Sequence, residues 1–144
     1  MFSKTGEYAI RVTILIASES KKDRIVGVKE VAEMVGSPEA FTAKILQKLV
    51  KKNIIISRKG VNGGFLVEKH NMNKIKMIHI LEAVECDDIF KGCALGLKEC
   101  SELQPCPFHF KYKIIKENFL EVINSTSLNE LISGFQSGIT FLKT

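Results

Sequence analysis

The chain has 144 residues, enough for one domain with an appended element. Its 45% hydrophobic content supports a real core, and no apolar run reaches the ~20 residues of a bilayer-crossing helix, which excludes that class. The net charge of +5 comes from 21 basic and 16 acidic residues, a modest excess whose distribution carries more information than its size.

In chain order, residues 5–19 read as a helix with Ala9, Val12 and Ile16 on its apolar face. Its most apolar stretch, Tyr8 to Ala17, is broken by Arg11 and Thr13, so it reads as a buried helix and not as a signal peptide. The cytosol is therefore the expected compartment, with no membrane partner. Lys21 to Arg24 is a polar connection, and Val26 to Val28 a short strand. Lys29 to Val35 is a short helix that turns Val31, Ala32 and Val35 inward and ends at Gly36, a residue suited to a left-handed cap. Ser37-Pro38-Glu39 opens the next helix with a capping serine, a proline at the first helical position and an acid at the positive end of the dipole. That helix runs to about Lys52, with Phe41, Ile45, Leu46 and Leu49 at helical spacing. Asn53 to Arg58 reads as a strand, Lys59 to Gly64 as a turn, and Phe65 to Val67 as a returning strand. Ile75 to Glu85 is a further helix, residues 86–107 are a loop, and Phe108 to Asn124 is a long amphipathic helix. Ser127-Leu128-Asn129-Glu130 matches a capping box that opens a final helix.

Between Glu39 and Glu68 there is no acidic residue, while Lys44, Lys48, Lys51, Lys52, Arg58 and Lys59 fall in that interval. A helix, a tight turn, a basic second helix and a basic glycine hairpin form a winged helix-turn-helix. The expected fold is therefore mainly α with a small β-hairpin wing, carrying a long dimerisation helix. Residues 1–85 form the DNA-binding domain, 86–107 the cysteine-rich loop, and 108–144 the dimerisation and C-terminal helices. The expected partners are double-stranded promoter DNA and a second copy of the chain, because two-fold operators need two reading heads.

All four cysteines lie in or beside the loop, at 86, 93, 100 and 106, followed by His109. The close pairs of a structural zinc site are missing. The spacing leaves open an iron–sulfur cluster, zinc, redox-active thiols or no ligand. A metalloenzyme is disfavoured, because the sequence lacks a His-Glu zinc motif, a nucleophile elbow and a phosphate loop, and His70 and His79 stand alone.

Several segments together resemble the Rrf-type (IscR/NsrR-like) family of bacterial winged-helix regulators, and the resemblance covers nearly the whole chain. They are Lys4-Thr5-Gly6-Glu7-Tyr8-Ala9-Ile10-Arg11, Val28-Lys29-Glu30-Val31-Ala32, Ile45-Leu46-Gln47-Lys48-Leu49, Arg58-Lys59-Gly60-Val61-Asn62-Gly63-Gly64-Phe65, Ile80-Leu81-Glu82-Ala83-Val84-Glu85 and Ser127-Leu128-Asn129-Glu130-Leu131. The resemblance implies a transcriptional regulator, in some members a repressor. It also implies an iron–sulfur cluster (2Fe-2S or 4Fe-4S) held by Cys93, Cys100 and Cys106. The fourth ligand would be His109 or, as the alternative, Glu7 given by the partner subunit. Cys86 stands outside this triplet as a possible redox thiol, and six residues separate Cys93 from Cys100 where IscR-like members have five. By the same resemblance the reading helix brings Pro38, Glu39, Phe41, Thr42, Lys44 and Lys48 to DNA. The wing brings Arg58, Lys59, Gly60, Asn62 and Gly63. Ala43 stands where an acidic residue reads DNA in IscR-like members, which implies a different target sequence.

Overall fold

The computed structural model describes residues 2–85 and 92–142, and Cys86 lies outside them. Helix α1 (Lys4–Lys21) is the spine of the domain. Ser3 caps it: the Gly6 N–H donates to Ser3 Oγ at 3.0 Å. Ala9, Val12 and Ile16 recur at the predicted helical spacing and are fully buried. Helices α2 (Val28–Val35), α3 (Glu39–Lys51), α4 (Met77–Val84) and α6 (Leu128–Gln136) pack around α1.

The turn between α2 and α3 is made at Gly36, whose φ of 65° lies in the left-handed region that glycine adopts freely. The α3 cap is Pro38, one residue later than Ser37, which instead shares a 2.5 Å hydrogen bond with the Thr42 hydroxyl. Asn53, at φ 58°, stops α3. Ile54 and Ile55 then drop into the core, so the first wing strand is shorter than the predicted Asn53–Arg58. The wing is β1 (Ile56–Arg58) paired antiparallel with β2 (Gly64–Leu66), with Ser57 opposite Phe65. The strand expected at Val26–Val28 is a single bridge, Val26 to Phe65, because Val28 already begins α2. That bridge brings backbone against backbone: a Cβ on Gly64 would sit 2.6 Å from the Val26 carbonyl oxygen.

Helix α5 (His109–Ser125) leads to α6 through Thr126 and Ser127. The predicted capping box is present in full: the Glu130 N–H donates to Ser127 Oγ (3.1 Å), and the Ser127 N–H donates to Glu130 Oε2 (2.6 Å). Leu128 and Ile132 of α6 are fully buried in the same cluster as Val12, Leu46 and Ile80. The final helix thus shares one core with the helices of residues 1–85. Helix α5 is the exception to this burial. Its only buried residues are His109 and Ile123, while Phe110, Ile114 and Ile115 are 64%, 62% and 61% exposed. Among the described residues, no helix is long and apolar enough to cross a membrane.

Candidate DNA interface and cysteine site

Helix α3 buries Thr42, Ile45, Leu46 and Leu49. Spacings of three and four residues place Lys44, Gln47 and Lys51 together on the opposite, exposed side. Gln47 and Lys51 were not among the predicted contacts, although their spacing from Lys44 was the available signal. Pro38 and Glu39 are exposed at the start of the helix. Phe41 is half-buried, edge-on to Tyr8 with ring centres 5.4 Å apart. Thr42 departs from expectation. It has no exposed surface, and its hydroxyl donates to the Pro38 carbonyl at 3.0 Å, so it shapes the helix start and does not face outward. Lys48 is exposed, yet its ammonium donates to the Val84 carbonyl at 3.3 Å.

In the wing, Arg58, Lys59, Gly60 and Asn62 are exposed and Gly63 is half-buried. The Gly63 N–H donates to the Gly60 carbonyl at 3.0 Å and closes the turn. A Cβ at position 63 would lie 2.2 Å from the Arg58 carbonyl oxygen, so the turn needs glycine there. The tip residue Val61 is fully exposed and was also not among the predicted contacts. Exposed cations beside a close-approaching backbone suit phosphate groups.

The cysteine segment reaches α5 at His109. Cys93, Cys100 and Cys106 are half-buried, and His109 is only 3% exposed. These four side chains form two pairs. Cys93 Sγ and Cys106 Sγ are 4.0 Å apart, and Cys100 Sγ lies 3.3 Å from His109 Nδ1. A tetrahedral metal with sulfur bonds of ~2.3 Å and nitrogen bonds of ~2.0 Å sets sulfur–sulfur and sulfur–nitrogen edges of about 3.8 and 3.5 Å. Each pair therefore matches one edge of such a centre. Among the described residues, no three such donors gather around one point. His109 Nε2 is buried without a hydrogen-bond partner among the described residues. The nitrogen that faces Cys100 is the other one, Nδ1, so Nε2 points away from that pair. Three thiols and this imidazole are a donor set that soft metals favour.

Local charge also favours thiolate. The Cys93 thiol is held below its ordinary pKa, first by the Leu95 backbone N–H, then by that of Leu97. Burial opposes this, while Cys106 and the charge of Lys116 add to it. A cavity of about 450 Å³ next to Cys100 and His109 is walled by Tyr112, Lys113, Lys116 and Leu120 of α5. Lys113 is ion-paired with Glu102 and lies 3.8 Å from Glu117. That pair holds the Glu102 carboxyl below its usual range and raises Lys113. Glu7, the alternative ligand, lies in the first turn of α1, 3.2 Å from Lys4 and 4.0 Å from Arg11. His70 is exposed, and His79 Nδ1 accepts the Lys76 N–H at 3.0 Å, which caps α4.

The family model Rrf2, described as an iron-dependent transcriptional regulator, matches residues 2–134. A protein of Aquifex aeolicus (strain VF5), assigned by name to the HTH-type transcriptional regulators, is 31% identical over 135 residues, 92% of each chain. The regulator NsrR of Oceanobacillus iheyensis is 24% identical over 130 residues, 90% of this chain and 87% of that one. Among solved structures, the chain is similar to CymR, the global cysteine regulator of B. subtilis. The TM-score is 0.76 at 19% identity, over 92% of this chain and 96% of that one. It is also similar to T. potens IscR, with a TM-score of 0.73 at 17% identity, over 99% and 93% of the two chains. These structures share this fold, and the named relatives are transcriptional regulators. The basic reading helix, the glycine wing and a match that runs through the cysteine segment lead to one statement: the chain belongs to the Rrf2 family of DNA-binding transcriptional regulators.

Proposed function

We propose that the chain is a homodimeric regulator whose binding to promoter DNA depends on an iron–sulfur cluster held by Cys93, Cys100, Cys106 and His109. The observation that carries this reading is the arrangement of the donors as two edge-spaced pairs, 4.0 and 3.3 Å, the second of them on the buried imidazole of His109. A single zinc ion would need all four donors around one point, whereas two pairs suit a centre with two metals. His109 is favoured over Glu7, because Glu7 is already engaged by Lys4 and Arg11. When bound, such a cluster supplies sensitivity to oxygen, nitric oxide or iron supply. The protein's own part is to favour the thiolate of Cys93, whose thiol the Leu95 and Leu97 backbone N–H groups hold below its ordinary range, and to place cationic Lys113 and Lys116 beside the site.

On the DNA side, Lys44, Arg58 and Lys59 meet phosphates, and Gly60, Asn62 and Gly63 let the wing backbone approach them. Pro38, Glu39 and Phe41 lie at the end of α3 that faces base edges in helix-turn-helix proteins. The exposed face of α5, with Phe110, Ile114 and Ile115, is the surface for the second copy. A second reading rests on the 4.0 Å separation of Cys93 and Cys106: two thiols this close can form a disulfide without a metal by exchange with an external disulfide, which is reduced to two thiols.

Anaerobic purification followed by an absorption spectrum and iron, sulfide and zinc analysis tests the proposal. A brown protein with iron and sulfide is expected, whereas a colourless product containing only zinc, or no metal, argues against it. DNA binding that falls steeply with salt is expected on promoter fragments. A monomer at all concentrations in sedimentation would remove the dimer from the proposal.

A further inference from the structure

Lys48 stands apart from the other lysines of α3. At about 100° per residue, Lys44 and Lys51 point away from the buried stripe of Ile45, Leu46 and Leu49, while Lys48 sits on the flank of that stripe nearest α4. Its ammonium donates to the carbonyl of Val84, the last residue of α4, at 3.3 Å. Carbonyls in the last turn of a helix lack intrahelical partners and carry the negative end of its dipole, so a cation is favoured there. The next residue is held from the other side. Glu85 Oε1 accepts the Ser3 N–H at 3.1 Å and the Ser3 hydroxyl at 2.5 Å, at the positive end of α1. It fits there because position 6 is glycine: a Cβ on Gly6 would lie 1.9 Å from that oxygen. The end of α4 is thus clamped between the reading helix and the start of α1, directly before Cys86 and the cysteine segment.

We propose that Lys48 is a positioning residue and not a phosphate contact. It ties the reading helix to the end of α4, so that a rearrangement of the cysteine segment is passed to α3 through Val84 and Glu85. This rests on the DNA-binding reading above. The test uses the full chain as wild type, Lys44→Met, Lys48→Met, Lys48→Arg and Glu85→Gln, with a duplex selected from a random pool by the wild-type protein. Lys44→Met should lower the slope of log affinity against log salt by about 0.9, the signature of one lost phosphate contact. Lys48→Met should leave the slope at the wild-type value. It should also speed hydrogen exchange of the Glu85 amide, which donates to Leu81 at 2.8 Å, by about fivefold, the equivalent of one ordinary hydrogen bond. Lys48→Arg should restore slow exchange, since it keeps the donor. The affinity losses of Lys48→Met and Glu85→Gln should be non-additive, whereas those of Lys44→Met and Glu85→Gln should add.

A slope for Lys48→Met that falls as it does for Lys44→Met makes Lys48 a phosphate contact and overturns the proposal. So does unchanged exchange at Glu85, or strict additivity with Glu85→Gln. If the wild type shows no salt-dependent binding, the DNA reading itself fails. The exchange measurement then decides the Lys48 contact alone, faster exchange supporting it and unchanged exchange ruling it out.

Discussion

The winged segment, residues 28–67, and the cysteine segment, residues 92–109, are held together by different forces. In the first, every helix turn and the approach to the wing bury apolar side chains: Val31, Val35, Ile45, Leu46, Leu49, Ile54, Ile55 and Val67 all lie in the core. In the second, no residue from 92 to 108 is buried. Its contacts are the Cys93–Cys106 and Cys100–His109 pairs, the Lys113–Glu102 ion pair and a few turn hydrogen bonds such as Gly96 N–H to Cys93 O at 2.9 Å. The hydrophobic effect stabilises the winged half in any solvent state that keeps the chain folded. The cysteine half has no such burial from residue 92 to 108, so under the proposed function its order would depend on what its donor atoms bind.

The comparison is broken most directly at the donors. Cys93→Ala, Cys100→Ala and Cys106→Ala are each expected to abolish colour, iron and sulfide while the helical circular dichroism persists. Cys86→Ala should retain all three. Colour retained in any of the first three variants would show that the ligand set is wrong. The converse experiment is in the core, where Leu46→Ala should cost about 2–5 kcal/mol in urea unfolding, because Leu46 has no exposed surface. A cost below 1 kcal/mol there would mean that α3 is not seated as described. At the wing, Lys59→Gln should leave stability unchanged and reduce the salt slope of DNA binding by about 0.9. An unaltered slope would remove Lys59 from the interface.

The smallest effects lie at the α6 cap. Ser127→Ala should cost about 1 kcal/mol in thermal or urea unfolding. The Glu130 carboxyl is held below its ordinary value of 4.5, first by the Ser127 backbone N–H and then by the Ser127 side chain. A carboxyl depressed on folding contributes stability that is fully present above its unfolded pKa and is lost as pH falls through the folded value. The stability gap between wild type and Glu130→Gln should therefore be constant near neutral pH and close on acidification below the ordinary value of 4.5. A gap that widens with acid would reverse the assignment.

Much of the winged half was legible because its signals are local. Gly36 ends α2 for a steric reason, the apolar spacing of Ile45, Leu46 and Leu49 faces one side of a helix, and the Ser127–Glu130 box depends on residues three apart. Two misreadings occur where a distant partner overrides a local tendency, and a third, at Thr42, where near neighbours draw a polar side chain inside. Ile54 and Ile55 look like strand and are drawn into the core. Val26 pairs with Phe65 only because α1 and α2 bring it there. Thr42 looks like an exposed helix residue and is buried under Ser37 and Pro38. In the cysteine segment the spacing left the ligand open, and the grouping of Cys93 with Cys106 and of Cys100 with His109 had no signal in it, because it depends on the path of the loop between them.

By itself, the sequence determined the helix-turn-helix and wing, the acid-free basic surface from Ala40 to Val67, and the donor types of the cysteine segment. These follow from residue chemistry and short-range periodicity. Only the tertiary structure decided that α6 completes the core around α1, that Cys93 sits with Cys106 and Cys100 with His109, and that Lys48 reaches across to the end of α4. The first and last of these depend on residues far apart in the chain, whose positions are set by burial of the whole core, whereas the cysteine pairs depend on how a segment without buried side chains from 92 to 108 closes on itself.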